Sequence, residues 1–255
     1  MIKQMKRVII SILLLVLASF TFAAENQVII ARANKAYNDG LYPVAIEQYK
    51  AVIKSGTESP ELYYNLGNAY YKQNDYPSAI LYYEKARKLD PSGEDINFNL
   101  NVVNSKIADK IEPLPELFYK RWYRALTELM PVDGWARTGL ILLLIALTGG
   151  VLYYISRRLL LRKIGFWAGL VCIFLSVFSL FFAFQGYQSY RNNREAIIFA
   201  PTVTLKSSPD EKSIDLFVLH EGTKVRLIDN IGTWYEIRIA NGSVGWLPAS
   251  SVERI

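Results

Sequence analysis

Residues 60–91 read PELYYNLGNAYYKQNDYPSAILYYEKARKLDP, and this stretch decides the fold of the first part of the chain. Its motif Tyr-Pro-x-Ala-Ile-x-x-Tyr, at residues 76–83, also occurs 34 residues earlier, at residues 42–49. Small residues such as Gly67 let two antiparallel helices approach closely, and Pro91 ends the second helix. The period therefore predicts a repeat protein, in which neighbouring helix pairs stack to bury a continuous core.

The residues at the fixed positions of this unit indicate the type of repeat. They are tyrosines, one leucine, small residues and a closing proline: Tyr63, Leu66, Gly67, Tyr70, Ala79, Tyr83, Ala86 and Pro91. This set resembles the tetratricopeptide repeat (TPR), and the resemblance implies a scaffold that holds protein partners. Residues 95–110 carry one apolar helical face, which predicts a helix that caps the stack. We therefore predict an all-α TPR domain over residues 25–112, with two repeats and a capping helix.

A TPR stack has a groove, and the repeat register predicts which side chains face it. We expect seven residues there: Asn34, Tyr37, Glu61, Tyr64, Asn68, Tyr71 and Lys72. Tyrosine combines apolar area with a polar tip, and recurrent asparagine suits hydrogen bonding to the backbone of a ligand. The alternative is that Asn34 and Asn68 only satisfy the neighbouring turn.

Charge and side-chain chemistry exclude several classes of function. The net charge is +6, but residues 25–134 carry 13 basic and 15 acidic side chains, and residues 191–255 carry eight of each. The excess lies beside apolar segments, so nucleic-acid binding is not expected. The sequence lacks a nucleophile–base pair, a phosphate-binding loop and a metal-ligand cluster. We predict no enzymatic activity and no cofactor or metal, and we interpret the single histidine, His220, as a surface residue.

Three apolar segments predict export and membrane anchoring. Residues 1–24 have the parts of a secretory signal peptide, which is either cleaved after Ala23 or kept as an anchor. Residues 138–156 and 164–185 are each long enough to cross ~30 Å of hydrocarbon. The connection, residues 157–163, carries four basic side chains, and short basic loops stay in the cytoplasm. We therefore predict a two-helix transmembrane hairpin in a bacterial inner membrane, with both globular parts in the periplasm.

An amphipathic juxtamembrane helix is predicted within residues 113–134, just before the first span. Leu117, Trp122 and Leu129 share its apolar face, while Arg124 lies off that face. Two placements are open. The helix either lies on the outer surface of the bilayer or packs as a linker on the TPR stack.

The tail, residues 197–255, changes to short alternating apolar runs separated by turn residues such as Asn-Gly. This pattern predicts a small antiparallel β domain. The spacing Trp-Tyr-x-Ile…Asn-Gly-x-x-Gly-Trp, from Trp234 to Trp246, resembles the bacterial SH3 (SH3b) domain. The resemblance implies an SH3-like barrel that binds cell-wall peptides or protein segments, with Trp234 and Trp246 as candidate binding residues. Either one tryptophan lies in the core and the other lines a groove, or both lie in the core.

The order of the parts is also informative. A leader, a TPR pair, two spans and an SH3b-like tail follow one another, with Tyr-Tyr-Asn-Leu-Gly-Asn-Ala-Tyr at residues 63–70 and Asp-x-x-x-Asn-Leu at residues 95–100. This arrangement is similar to the exported TPR membrane proteins of the aerotolerance (Bat) operons, the BatE type. The resemblance implies a place in an inner-membrane complex with von Willebrand factor A-type and other TPR proteins.

Two functions are therefore expected. The leading one is a non-enzymatic, membrane-anchored scaffold or adaptor, whose TPR groove and SH3b domain bind protein partners in a stress-related complex. The alternative is a cell-wall binder, in which the SH3b domain holds peptidoglycan and the TPR part is a spacer.

Overall fold

The computed structural model describes residues 26–191 and 194–255, so the predicted signal peptide lies outside the described residues. The first part is a stack of helices, with the bounds α1 (26–38), α2 (Tyr42–Lys54), α3 (Pro60–Lys72), α4 (Tyr76–Leu89) and α5 (Glu94–Asn104). The pairs α1/α2 and α3/α4 are the two repeats, and α5 follows them. This last helix ends at Asn104, before the predicted end at residue 110, and a non-helical segment continues to residue 117.

The repeat period sets how each helix begins and turns. Proline stands in the first turn of α2, α3 and α4, where its missing N–H is not needed. Ser59 and Asp75 cap α3 and α4 by accepting a backbone N–H of the first turn. Gly40 and Asn74 stand at the same place in successive repeats, and both adopt positive φ, at 78° and 62°. The turn inside each repeat therefore keeps one geometry.

Tyrosine and small residues fill the core of the stack. Tyr49 and Tyr83, at equivalent positions in the two repeats, are fully buried together with Leu66. Gly67 makes room for one of these rings, because a Cβ at this position would lie 2.7 Å from ring atoms of Tyr83. The predicted close approach of the two helices at Gly67 is thus present.

A short helix and two long apolar helices follow, α6 (Phe118–Thr127), α7 (Val132–Ile155) and α8 (Leu159–Arg191). The mean hydropathy of the two long helices is 2.1 and 2.3, so by length and composition both can cross a membrane. Both extend beyond the predicted spans. Residues 156–158 alone separate them within this described part of the chain, because α8 already begins inside the predicted basic loop.

The two long helices pack antiparallel along small residues. Their backbones approach closely at Gly149 and Gly165, where an added Cβ would lie 2.8 Å or 2.7 Å from the carbonyl oxygen of the facing glycine. Toward the other end, the hydroxyl of Ser176 donates a hydrogen bond of 2.7 Å to the carbonyl oxygen of Gly139. The parts that precede α7 and follow α8 therefore lie at the same end of the hairpin.

The last part is an antiparallel sheet. Its strands are β1 (Glu195–Ile198), β2 (Thr202–Lys206), β3 (Asp215–His220), β4 (Lys224–Ile231), β5 (Trp234–Arg238), β6 (Val244–Pro248) and β7 (Val252–Arg254). Among the described residues they form one sheet in the order β3-β2-β6-β5-β4-β1-β7. Leu205, Ile237 and Leu247 are fully buried in its core, and Gly232 and Gly242 supply positive φ in the hairpin turns. The predicted β domain is present, and its SH3-like identity stays a prediction.

The β domain packs against one side of the helical stack, and we call this side the docked face. It consists of Ile80, Glu84 and Lys88 of α4 and of Ile107 and Asp109 in the segment after α5. Ile197 of β1 belongs to the apolar core cluster of the stack. The ammonium group of Lys224 lies 3.0 Å from the carboxylate of Glu84, which also pairs with Arg87 at 2.6 Å. Because the Glu84 side chain is buried, separating the two domains' charges would leave this carboxylate with fewer partners, so the pairing fixes how the β domain sits on α4.

Asp109 supports the same contact. Its carboxylate accepts hydrogen bonds from the backbone N–H of His220 (2.8 Å) and the hydroxyl of Thr223 (2.6 Å), and it lies 2.8 Å from His220 Nδ1. Burial raises the pKa of Asp109, but the hydrogen bonds from Thr223 and His220 outweigh burial and hold this pKa below its ordinary 3.8. His220, expected at the free surface, is therefore part of the interdomain contact.

Candidate partner-binding site

The opposite side of the stack carries an open cavity of about 260 Å³. We call this side the groove face. The cavity lies among the first helices of successive repeats, and its lining residues are Tyr37, Tyr64, Asn68, Tyr71, Lys72, Tyr83, Asn99 and Val102. Since α1, α3 and α5 contribute most of them, the cavity lies in the groove that the repeat register predicts.

Five of the seven predicted groove residues line the cavity, namely Tyr37, Tyr64, Asn68, Tyr71 and Lys72. Asn34 is half-buried one repeat earlier, outside the cavity. Glu61 is exposed in the first turn of α3. The structure thus brings four of the five predicted residues of α3 together with Tyr37 of α1, and leaves Glu61 and Asn34 outside the cavity.

The recurrent asparagines have a structural role in the stack. Asn68 Oδ1 accepts hydrogen bonds from the Tyr83 hydroxyl at 2.6 Å and from Asn99 Nδ2 at 2.9 Å. One repeat earlier, Asn34 Oδ1 accepts from the Tyr49 hydroxyl at 2.6 Å and from Asn65 Nδ2 at 3.4 Å. Each asparagine therefore joins its own helix to the next two helices.

This hydrogen-bond ladder differs from both sequence interpretations, which gave Asn34 and Asn68 either a ligand or the neighbouring turn. The sequence contains the signal for the ladder, because Asn-to-Tyr and Asn-to-Asn offsets are identical in the two repeats. Tyr83 and Asn99 were missed as lining residues because they were read as core and capping positions. Val102 stands 34 residues after Asn68, at the same position of the partial third unit, but its residue type does not recur there.

The cavity favours contact and hydrogen bonding over proton transfer. Burial, together with the neighbouring phenols Tyr42 and Tyr64, raises the pKa of Tyr37, and burial strongly raises the pKa of Tyr83. These phenols therefore stay neutral at physiological pH and act as hydrogen-bonding groups on apolar rings. Lys72 is exposed at the end of α3 and adds one positive charge to the rim. Such a lining fits a peptide segment with an acidic or polar group near an apolar side chain.

Trp234 and Trp246 lie on neighbouring strands of the β domain. Trp246 is paired with Glu236, and Trp234 with Pro248, so the two indoles share one face of the sheet. Both are half-buried, whereas Ile237 on the other face is fully buried. Neither tryptophan is therefore a core residue, and the two form a partly exposed aromatic face.

Over the described residues, 26–191 and 194–255, the structure contains no group of three or more side chains suited to hold a metal ion. The side chains that converge in the groove are phenols, amides and one ammonium group. They can bind a partner, and they do not form a nucleophile with its base.

Comparison with known protein families identifies the helical repeats. Residues 60–92 match the family described as Tetratricopeptide repeat, and residues 34–74 match the family described as TPR repeat. A comparison with curated proteins finds no match. The chain thus contains TPR repeats, a class of structure that serves as a scaffold for protein–protein interaction.

Proposed function

We propose that the protein is a non-enzymatic, membrane-anchored scaffold, which holds a segment of a partner protein in its TPR groove. The observation that carries this proposal is the open cavity among α1, α3 and α5, lined by half-buried tyrosines and by Lys72. Tyrosine is enriched at interfaces because its ring buries apolar area while its hydroxyl finds a hydrogen-bond partner. The seven predicted residues, with Tyr83, Asn99 and Val102 added, are the proposed contact region.

The anchoring part of the proposal rests on α7 and α8. Their apolar side chains are largely exposed, as is usual for helices that face lipid rather than a protein core. The basic side chains between residues 157 and 163 favour a cytoplasmic turn, and both globular parts lie at the other end of the hairpin. A two-pass inner-membrane protein with the TPR stack and the β domain in the periplasm fits these features.

The juxtamembrane helix α6 fits an interfacial position. Phe118 and Trp122 are 64% and 68% exposed, so its apolar face is turned away from the TPR stack. A helix with aromatic residues on one face and basic residues on another lies well at a bilayer surface. This placement is preferred over a linker packed on the repeats.

The proposed setting is a stress-related inner-membrane complex of the aerotolerance type, with von Willebrand factor A-type and other TPR proteins as partners. It rests on the similarity of domain order and of the motifs at residues 63–70 and 95–100. In this proposal the β domain is an SH3b module whose aromatic face, Trp234 and Trp246, binds a second ligand.

Site-specific crosslinking in cells tests the groove directly. A photoreactive residue at Lys72, the last residue of α3, should capture a partner protein, whereas the same residue at Lys54, the last residue of α2, should not. Both positions are exposed, so the pair differs in location and not in access. Equal capture from the two positions, or capture from Lys54 alone, would contradict the groove as the binding site.

A second function is favoured by the aromatic face of the β domain, because sugar rings and peptide stems stack well on exposed indoles. In that case the β domain binds peptidoglycan and the TPR stack is a spacer. Sedimentation of the full chain with purified cell walls distinguishes the two. Wall binding that is lost in Trp246→Ala and kept in Lys72→Gln favours the wall binder, and no sedimentation favours the scaffold.

A further inference from the structure

A second and larger cavity lies where the helical stack, the β domain and the two long helices meet. Its volume is about 910 Å³. Glu84, Arg87 and Lys88 line it from α4, and Lys120 and Arg124 from α6. The β domain adds Arg194, Glu195, Lys224 and Arg226, and the long helices close it with Val132 and Gly186. The proposed partner groove is separate from it, on the other side of the stack.

The position of the cavity places it at the level of lipid headgroups. Val132 is the first residue of α7, and Gly186 lies near the end of the apolar part of α8. These two residues touch, because a Cβ on Gly186 would lie 2.6 Å from Cγ2 of Val132. The floor of the cavity is therefore the point where both helices leave the apolar layer, and α6 forms a wall beside that layer.

The lining is strongly cationic. Among the residues that the structure describes, seven basic and three acidic side chains line the cavity, which gives a net charge of +4. Two of the carboxylates are already shared. Glu84 pairs with Arg87 and Lys224, and Glu195 lies 2.9 Å from the same Lys224 ammonium group. Arg124 also pairs with Glu116 beside the cavity, and the Lys88 ammonium group donates a hydrogen bond of 3.1 Å to the carbonyl oxygen of Ile255. With Glu116 counted, the described side chains of this region still carry a net charge of +3.

The surroundings of Lys88 disfavour its charged form. Burial, with contributions from neighbouring lysines, lowers the pKa of the Lys88 ammonium group to about 8, in spite of the carboxylates of Glu195 and Glu84. Converging cations in a partly buried site favour an anionic occupant, since an opposite charge nearby stabilises the charged form of Lys88. The volume lies within the ~300–1,000 Å³ of ligand sites, so there is room for more than a single inorganic ion.

We propose that this cavity binds the phosphate-bearing headgroup of an anionic phospholipid from the adjacent leaflet. Basic pockets beside transmembrane helices bind such headgroups, because phosphate is held by several cations while the acyl chains remain in the apolar layer. Tyr119 and Tyr123 of α6 line the same cavity and supply the amphipathic side chains usual at this depth. The inference rests on the membrane anchoring in the proposed function.

Lys120 and Arg226 allow a clean test, because both are exposed and they come from different elements, α6 and β4. The double variant Lys120→Gln/Arg226→Gln is compared with Lys35→Gln/Lys212→Gln, which removes two exposed charges far from the cavity. The full chain is placed in lipid nanodiscs of phosphatidylcholine alone or with phosphatidylglycerol. The Tm of each protein is then measured.

Phosphatidylglycerol should raise the Tm of the wild type and of the control by ~5 °C, and at least half of that rise should be lost in Lys120→Gln/Arg226→Gln. Any lipid held by the basic residues 157–163 contributes equally to all three proteins. An equal rise in both double variants would overturn the lipid site. In phosphatidylcholine discs, millimolar inorganic phosphate could raise the Tm of the wild type by the same amount. That result would also overturn the lipid site and would favour a free phosphate ligand.

The same experiment separates this inference from the anchoring on which it rests. A chain that does not enter the nanodiscs at all contradicts both the anchoring and the lipid site. A chain that enters them and shows no difference between the two lipids contradicts the lipid site alone.

Discussion

The two sides of the helical stack are built from the same repeats and are used differently. The groove face is open and presents tyrosines around a cavity, whereas the docked face is covered by the β domain through buried ion pairs and hydrogen bonds. Groove-face residues recur with the repeat, as Tyr37 and Tyr71 do. On the docked face Ile80 and Lys88 recur as Ile46 and Lys54, but Glu84 does not. Its position in the first repeat is Lys50, which cannot accept the same partners.

The contrast between the groove face and the docked face shows that residues of a repeat protein meet two kinds of requirement. A residue that recurs in phase is available for the contact between neighbouring units, although Lys88, which recurs from Lys54, also lies on the docked face. A residue that breaks the period serves something outside the stack, in this case the β domain. The ladder of Asn34 and Asn68 belongs to the first kind, and the Asp109 cluster belongs to the second.

The largest effect is expected from a substitution that disrupts the stack itself, because both faces are then lost. Gly67→Leu drives a side chain into the ring of Tyr83 and should destabilise the helical part by ~3 kcal/mol or more. Gly40→Asn is the control, because Asn74 already adopts the same turn conformation and an added Cβ at Gly40 meets open space. Thermal unfolding followed by circular dichroism measures both. Equal melting temperatures for the two variants would contradict the repeat register.

Asp109→Ala should release the docked face and leave the groove face intact. The substitution removes the acceptor of the buried Thr223 hydroxyl and of the His220 N–H, at a cost of ~1–3 kcal/mol to the interdomain contact. Hydrogen exchange of residues 105–117 should speed up, while exchange within α3 should not change. Faster exchange in α3 as well would show that the two faces are not independent.

The charge of Asp109 makes the docked face sensitive to acid. Its pKa is lower in the docked protein than the ordinary 3.8, so its carboxylate stabilises docking fully above that value, and the contribution is lost as pH falls through the lowered pKa. The difference in interdomain stability between the wild type and Asp109→Asn should therefore shrink below about pH 4. A difference in interdomain stability that stays constant from pH 6 to pH 3 would show that the charge of the Asp109 carboxylate does not stabilise docking.

Asn68→Ala acts on the groove face and should have a moderate effect. It leaves Tyr83 and Asn99 without their common acceptor, at ~1–2 kcal/mol. Asn34→Ala should cost less, since its second hydrogen bond is longer, at 3.4 Å. Urea unfolding of the two variants ranks them. The reverse order would mean that the ladder is anchored in the first repeat.

The smallest effect on stability is expected for Lys72→Gln, at ~0.5 kcal/mol or less, because the side chain is exposed. Partner capture should nevertheless fall, since a charge at the rim of the groove is lost. Lys54→Gln is the matched control in the first repeat. If both variants capture partner as the wild type does, Lys72 is not part of the binding surface.

The helical repeats and the β domain could be predicted because each carries a period that local physics enforces, and the two long helices because of their length and apolar composition. The groove residues on α3 could be predicted for the same reason. The repeat alone does not assign the hydrogen-bond partners of Asn68, because a sequence shows which residues recur and not which neighbour they meet. The contacts of Asp109 and Glu84 could not be predicted, since their partners are residues far away along the chain that share no period with them.

The docked face also sets an order of assembly. Asp109 and Thr223 are 114 residues apart and Glu84 and Lys224 are 140 apart, and both long helices, α7 and α8, lie between the members of each pair. A chain made from its N-terminus therefore completes the repeats and both long helices before the β domain can cover α4. Until then Ile80 and Glu84 face water or a chaperone. In a chain anchored as proposed, slow membrane insertion should thus prolong an intermediate whose repeats are folded while the docked face is still exposed to association with other chains.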